Sequence, residues 1–581
     1  MYHALKNIQI TLALLKKYNI RHIVISPGSR NVPIVASIEK DDFFECVSVV
    51  DERSAAFTAL GMSRALNEPV VLSCTSSTAT SNYLPAIVEA SEKNIPLIAL
   101  TSDRDPRHLG QLENQMINQI NMYGNYVNKF VNLPTVNDSL DFKYCERLVN
   151  EALIEATRNK VRGPVQINIP IFKQIKEFTE PALPSVRKID YIEENDTDGW
   201  GSVVSALEQS KKIVFLFGES LPQDDKYNEK IMRLFEKTNC IVLAEHMSNI
   251  TLKERINPNF IVEGIDILDF KNLLPDIIVT FGGNFTSSIK EKLRLFDKHF
   301  THWQVEKSDD INLKDTFLSL EKVINCSDET FFNVVLESSE FANSKNNREY
   351  YNLWKECINK RRFPNLEFTN FYAIKRFMEE IPENSKVNLS ILNSIRISNF
   401  FEAKKGCNFF ANIGAYGIDG TLSTYLATLD NKENKSQSFL VTGDLSFLYD
   451  INGIFNDGIK KGLRILLINN GGGGEFHIGY NDLKNSNIEN FISAGHSLVF
   501  EKIIQSLKFT YYVSKTVEEY ENIVPKFVTN SEESIVWEVF TDKDKDARIL
   551  KEYYSVNQNF SKETKMKRFL KNSIKKVVKR N

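Results

Sequence analysis

Apolar runs without alternation recur along the chain at 22–26, 70–74, 96–101 and 164–170, with helix-like stretches at 51–65 and 79–91 among them. Such strands are covered on both faces, which predicts a parallel sheet clad in helices. The same grammar returns at 212–218, 240–245, 276–283 and 301–306, then at 387–392, 438–442, 464–468 and 534–541. Polar linkers separate the groups, one at 181–184 with Glu193-Glu194-Asn195-Asp196 and one at 338–348. A chain of 581 residues is too long for one core. The expected fold is therefore three doubly wound parallel-sheet α/β domains, over 1–185, 195–335 and 350–555, with a tail over 556–581. In 561–581 nine Lys or Arg accompany one acid, and Met566, Phe569, Leu570, Ile574, Val577 and Val578 trace one face of a basic amphipathic helix. That tail reads as a solvated terminal helix or as a weak contact for an anionic membrane surface or a partner.

Candidate chemistry lies in the third group. The strand at 438–442 leads through Gly443-Asp444-Leu445-Ser446-Phe447 into a crossover helix expected at about 450–461, and the next strand ends in Asn469-Asn470 and four glycines. Ligands of open α/β sheets gather beyond the strands' carboxyl ends, so Asp444 and Asn470 fall at one rim. A carboxylate with an amide oxygen suits Mg²⁺ or Mn²⁺ held jointly with phosphates, and the glycines allow close backbone approach. The plainer reading is a helix cap followed by a loose turn. In the first group, Val49-Val50-Asp51-Glu52-Arg53 places Glu52 at a helix start, where an acid also simply offsets the helix dipole.

Charge narrows the partners. With 72 basic and 75 acidic residues, no global field favours nucleic acid. Seven scattered cysteines lack a C-x-x-C pair, as expected of reduced thiols, and no apolar run reaches the 18–20 residues of a membrane span. The start, Met1-Tyr2-His3-Ala4-Leu5-Lys6, lacks a secretory pattern, so a cytoplasmic location is expected.

Gly443-Asp444 followed by Asn469-Asn470 resembles the diphosphate-and-metal signature of thiamine diphosphate enzymes. Ser26-Pro27-Gly28-Ser29-Arg30, Asp51-Glu52-Arg53, Thr101-Ser102-Asp103-Arg104, Asn114-Gln115 and Gly417-Ile418-Asp419-Gly420 complete an ordered set. Over roughly 1–540 this set resembles the 2-succinyl-5-enolpyruvyl-6-hydroxy-3-cyclohexene-1-carboxylate synthase family of menaquinone biosynthesis. The resemblance implies a transferase that decarboxylates 2-oxoglutarate and joins the remainder to isochorismate, with thiamine diphosphate and Mg²⁺. It implies Glu52 as the acid that activates the cofactor's pyrimidine ring. It implies Asp444, Asn470 and the Gly472 carbonyl as metal ligands, with Ile418, Gly443, Leu445, Ser446 and Phe476 against the cofactor. Ser29, Arg30, Arg104, Asn114, Gln115 and Ser394 would face substrates. A homodimer or homotetramer with active sites shared between subunits is implied as well.

Several positions depart from that pattern. Ile413 and Ser398 stand where arginines are usual, and Ser288-Ile289, with Lys290 next, stands at a usual Lys-Arg pair. Arg396 is offset from 398 by two residues, about 200° around a helix. Glu475 and His477 replace apolar residues and read either as exposed loop positions or as extra acid–base groups. Ser77 replaces a frequent glycine. These changes leave open a paralogue with another oxo acid or acceptor, or a non-catalytic relative.

Overall fold

The computed structural model describes residues 1–158, 162–171, 176–238, 240–338, 348–429, 436–455, 462–479 and 491–558. The chain divides into two compact units, Met1–Asp196 with His302–Cys326 and Thr197–Thr301 with Ser327–Asn581.

The first unit holds a parallel sheet in the order Glu45–Ser48, His22–Ile25, Val70–Cys74, Leu97–Asp103, Val165–Pro170, Lys129–Asn132. Successive strand residues point to opposite faces. Ile23, Ile98 and Ile167 therefore join the core beneath helices Lys6–Lys17 and Ser139–Thr157, whereas Val24, Leu72 and Ala99 join that beneath Glu52–Leu66 and Leu84–Glu92. Each fully buried aliphatic side chain contributes about 1.5–3 kcal/mol, which is why both faces of the central strands are apolar.

In the second unit the order is Asn408–Phe410, Lys386–Leu389, Ser438–Gly443, Arg464–Asn469, Ile535–Phe540, Thr510–Ser514, again all parallel. Val441, Leu466 and Trp537 face one core, and Leu440, Ile465 and Val536 the other. The second unit also holds parallel strands in the order Cys240–Ala244, Ile213–Phe217, Ile277–Phe281, and the first unit parallel strands in the order Thr301–Val305, Leu320–Asn325, Asp190–Glu193. Three parallel α/β sheets are thus present, as the apolar pattern predicts.

Some elements differ from expectation. The helix expected over 79–91 is two, Thr78–Ser81 and Leu84–Glu92, because Pro85 cannot donate to a continuing turn and instead opens the second helix. Beyond the strand Ser438–Gly443 the helix begins at once, as Asp444–Tyr449, and continues as the 3₁₀ turn Ile451–Phe455 rather than starting near 450. The remainder of that expected crossover helix, 456–461, lies outside the described residues, as does the basic tail over 561–581. Among the described residues no helix is long and apolar enough to cross a membrane.

Candidate active site

In the second unit a cavity of about 480 Å³ opens beyond the carboxyl ends of the strands Lys386–Leu389, Ser438–Gly443 and Arg464–Asn469. Strand register explains its floor. Gly443 pairs with Ile468, so Asp444 and Asn470 leave the sheet side by side. The chain then folds around the carboxylate. Asp444 Oδ2 accepts the backbone N–H groups of Asn470 (3.1 Å), Gly471 (2.8 Å) and Gly472 (3.0 Å), and Oδ1 accepts that of Leu445 (2.7 Å). His496 Nε2 stands 3.3 Å from Oδ2. Burial pushes the Asp444 carboxyl above its usual range, while these N–H groups and His496 oppose the shift. Gly472 adopts φ +139°, and a Cβ there would meet the Ser493 carbonyl at 2.7 Å, so only glycine closes this loop.

This rim suits a divalent cation held partly by a ligand's phosphates. The Asn470 side chain donates to Asp546 (3.1 Å), and among the described residues no protein group donates to its Oδ1. Among the described residues the Gly472 carbonyl accepts only from Gly474 N–H (3.0 Å), which leaves it a lone pair. One carboxylate, one amide oxygen and one carbonyl leave coordination positions open. No cluster of three or more His, Cys, Asp or Glu that could hold a metal ion exists among the described residues.

The remaining walls mix polar anchors with apolar surface. Ser446 Oγ donates to the Ile418 carbonyl (2.6 Å), tying the loop that carries Ile418 to the strand end. Gly443, Leu445, Ser446, Ser394, Ile418 and Phe476 all line the cavity. Ser394 is buried at the start of the helix Asn393–Ser398, which follows Leu392 at φ +63°.

The positions that depart from the family pattern separate clearly. Ser398 is buried and donates to the Ser394 carbonyl (2.7 Å), and Ile413 is buried in the core, so neither offers a cation to the cavity. Arg396, on another face of the same helix, makes a bidentate pair with Glu475 (2.6 and 3.0 Å) and a bond to Asn393 Oδ1 (2.9 Å). Glu475 lines the cavity, whereas the buried His477 turns to Asp544 (2.9 Å). Neither is an exposed loop residue, since both lie in the helix Glu475–Gly479. Ile289 is buried. Lys290 lies over the Phe285 ring (4.8 Å) beside a second cavity, of about 330 Å³, shared with Ile413 and Tyr416.

In the first unit, the other candidates also sit beyond strand carboxyl ends. Glu52 opens the helix Glu52–Leu66, whose N-cap Asp51 accepts the Ser54 N–H (2.8 Å). Ser29, exposed, and Arg30 form a 3₁₀ turn after His22–Ile25, and Gly28 before them admits Thr75 so closely that any Cβ would collide. Arg30 donates to the Ile171 carbonyl (3.0 Å), and Arg104 pairs with Glu113 (2.9 Å). Burial lowers the Arg30 pKa, with the nearby Arg104 charge adding to it and the Glu113 and Asp103 carboxylates opposing it. Arg104 Nε is buried without a partner. Gln115, at φ +56°, is tied to Ser76 through its backbone carbonyl (3.1 Å), and Asn114 beside it is exposed. Ser77 adopts φ +78°, which explains the glycine usual there.

Two cavity-side residues escaped the sequence reading. His496 lies far from any motif, and Asp546 is one of several acids in a charged run, 542–546, where nothing marks it as the buried one.

Comparison with known proteins agrees with this geometry. Residues 7–122 match the family model "Thiamine pyrophosphate enzyme, N-terminal TPP binding domain". A 2-succinyl-5-enolpyruvyl-6-hydroxy-3-cyclohexene-1-carboxylate synthase from Bacteroides thetaiotaomicron is 32% identical over 95% of this chain and 99% of its own. The synthase of Phocaeicola vulgatus is equally similar, with the same coverage, and that of Flavobacterium johnsoniae is 30% identical over 94% of this chain and 98% of its own. Among solved structures, benzoylformate decarboxylase from Polynucleobacter necessarius aligns with 94% of this chain and 99% of its own, at 17% identity and a TM-score of 0.43. The chain is a thiamine diphosphate-dependent enzyme that works with a divalent metal. Within that class it belongs to the 2-succinyl-5-enolpyruvyl-6-hydroxy-3-cyclohexene-1-carboxylate synthase family.

Proposed function

We propose that this enzyme joins the decarboxylated remainder of 2-oxoglutarate to isochorismate, in the cytoplasm, on the route to menaquinone. The match over 95% of the chain to curated relatives carrying that activity in their names is the observation that carries this reading. It supports the family's own reaction over a paralogue with other substrates or a non-catalytic relative.

Asp444, the Asn470 oxygen and the Gly472 carbonyl would hold Mg²⁺ against the diphosphate, in a domain at about 350–555. Glu52, in a domain at about 1–185, would keep a proton at the pyrimidine ring. When bound, thiamine diphosphate supplies the nucleophilic carbon and the electron sink for loss of CO₂. Ile418, Leu445 and Phe476 would hold the reacting region dry, which strengthens every charge interaction there. Arg30 and Arg104, with Ser29, Asn114, Gln115 and Ser394, would take substrate carboxylates and hydroxyls, since paired guanidiniums bind carboxylates through charged hydrogen bonds. The subunits would pair so that Glu52 of one completes the site of another.

The test is direct. Protein supplied with thiamine diphosphate, Mg²⁺ and 2-oxoglutarate should consume isochorismate, with release of CO₂. Asp444→Ala should abolish Mg²⁺-dependent cofactor binding in calorimetry, because the diphosphate loses its anchoring counter-ion. Untouched isochorismate would refute the reaction, and unchanged cofactor affinity in the variant would refute the metal assignment.

A further inference from the structure

Asn470 shows the cavity an amide whose two ends have nearly the same shape and opposite chemistry. Its oxygen can ligate a cation and its NH₂ cannot, so something must decide which end faces the rim. The neighbouring Asp546 is buried, 3% exposed, on the helix Lys543–Val556, where its own N–H bonds the Asp542 carbonyl (2.8 Å). Its Oδ1 accepts the Asn370 backbone N–H (2.9 Å), and its Oδ2 accepts Thr541 Oγ1 (2.7 Å) and Asn470 Nδ2 (3.1 Å). A carboxylate only accepts hydrogen bonds. Turning the Asn470 amide over would set its oxygen against that carboxylate and its NH₂ against the cation.

We propose that Asp546 is a positioning residue that locks the Asn470 amide with its oxygen toward the metal. This rests on the reading of Asp444 and Asn470 as metal ligands. Gly474 gives the arrangement its room, since a Cβ there would come within 2.9 Å of Asn470 Nδ2. The chain thus settles the ligand's orientation before any cation arrives, through a side chain that never touches the metal itself.

The reciprocal exchange tests it. In Asp546→Asn, the Asn370 N–H keeps an oxygen at the Oδ1 place, which leaves the new NH₂ facing the Asn470 NH₂. Asn470 then turns over and offers the cation a donor. Calorimetric titration of thiamine diphosphate at fixed Mg²⁺ should show affinity falling by about tenfold or more, the scale of one charged hydrogen bond. Adding Asn470→Asp should restore affinity to near wild type, because one oxygen of the new carboxylate accepts from the residue at 546 and the other faces the metal. If Asp546→Asn does not fold, the double variant decides alone: near-wild-type affinity supports the proposal and its loss overturns it. Unchanged affinity in Asp546→Asn, beside loss in Asp444→Ala, overturns the role of Asp546 and leaves the metal site standing. Loss without restoration in the double variant marks the contact as merely structural and also overturns it. Unchanged affinity in Asp444→Ala overturns both readings.

Discussion

Arg396 shows how one side chain alters a pocket. With Ile413 and Ser398 buried, Arg396 is a cation of the Asn393–Ser398 helix held in a bidentate pair by Glu475, which lines the cavity. On the proposed function, a donor carboxylate reaching this end of the cavity would compete with Glu475 for that guanidinium. Glu475→Gln should therefore lower the KM for 2-oxoglutarate by about tenfold or more, the worth of a charged hydrogen bond released to the substrate, with little change in kcat. Steady-state kinetics decide it, and an unaltered KM would remove the pair from donor recognition. The offset of Arg396 from 398 was legible as helical geometry. Its partner was not, because Glu475 lies 79 residues away and only the fold joins the two.

At the level of elements, the strands the apolar pattern reveals and those it hides differ in position. In the two flanking sheets it finds the four central strands and misses the edges, Glu45–Ser48 and Lys129–Asn132 in one, Asn408–Phe410 and Thr510–Ser514 in the other. A central strand is covered on both faces and must be apolar throughout, whereas an edge strand need not be, and Glu45–Ser48 is exposed along its whole length. The edge strand Asn408–Phe410 is held instead by a neighbouring turn. His246 stacks on Phe409 (4.5 Å) and its Nε2 meets the Ser398 carbonyl (3.0 Å). Burial, helped by Arg255, lowers the His246 pKa from 6.5 to about 3. Above pH 6.5 the ring is neutral in folded and unfolded chain alike and contributes no pH dependence. Below it only the unfolded chain takes up the proton, so stability falls with acid, by about 1.4 kcal/mol per pH unit, until the folded pKa is reached. Urea unfolding at pH 7.5 and 5.0 should then show His246→Gln losing about 2 kcal/mol less than wild type over that interval. Equal losses would mean that the ring is not held neutral.

The whole molecule adds a question of assembly. Glu52 belongs to one compact unit of the chain and Asp444 to the other. On the proposed assembly each site draws them from two subunits. Mixing inactive Glu52→Gln and Asp444→Ala chains should then restore roughly a quarter of wild-type activity, since half the dimers are hybrids and each hybrid has one intact site of two. Subunits must be exchanged by mild dissociation before assay. Mixtures that stay inactive although hybrids form would show that each chain builds its own site.

From sequence alone came the three parallel α/β sheets, the central strands of the first and last of them and the family, because burial on two faces and a spaced Gly-Asp and Asn-Asn pair leave marks that need no partner. The sequence also set Asp444 and Asn470 at one rim, which follows from parallel strands ending on the same side. Only tertiary structure decided what surrounds them. The cradle of N–H groups on Asp444, the turning of His477 toward Asp544 and the burial of Asp546 beneath Asn470 all depend on which loops and helices meet. An acid in a charged run looks the same whether solvated or enclosed. Its surroundings come from contacts distant in sequence, here the Asn370 backbone and the end of the strand Arg464–Asn469, and local pattern carries no record of them.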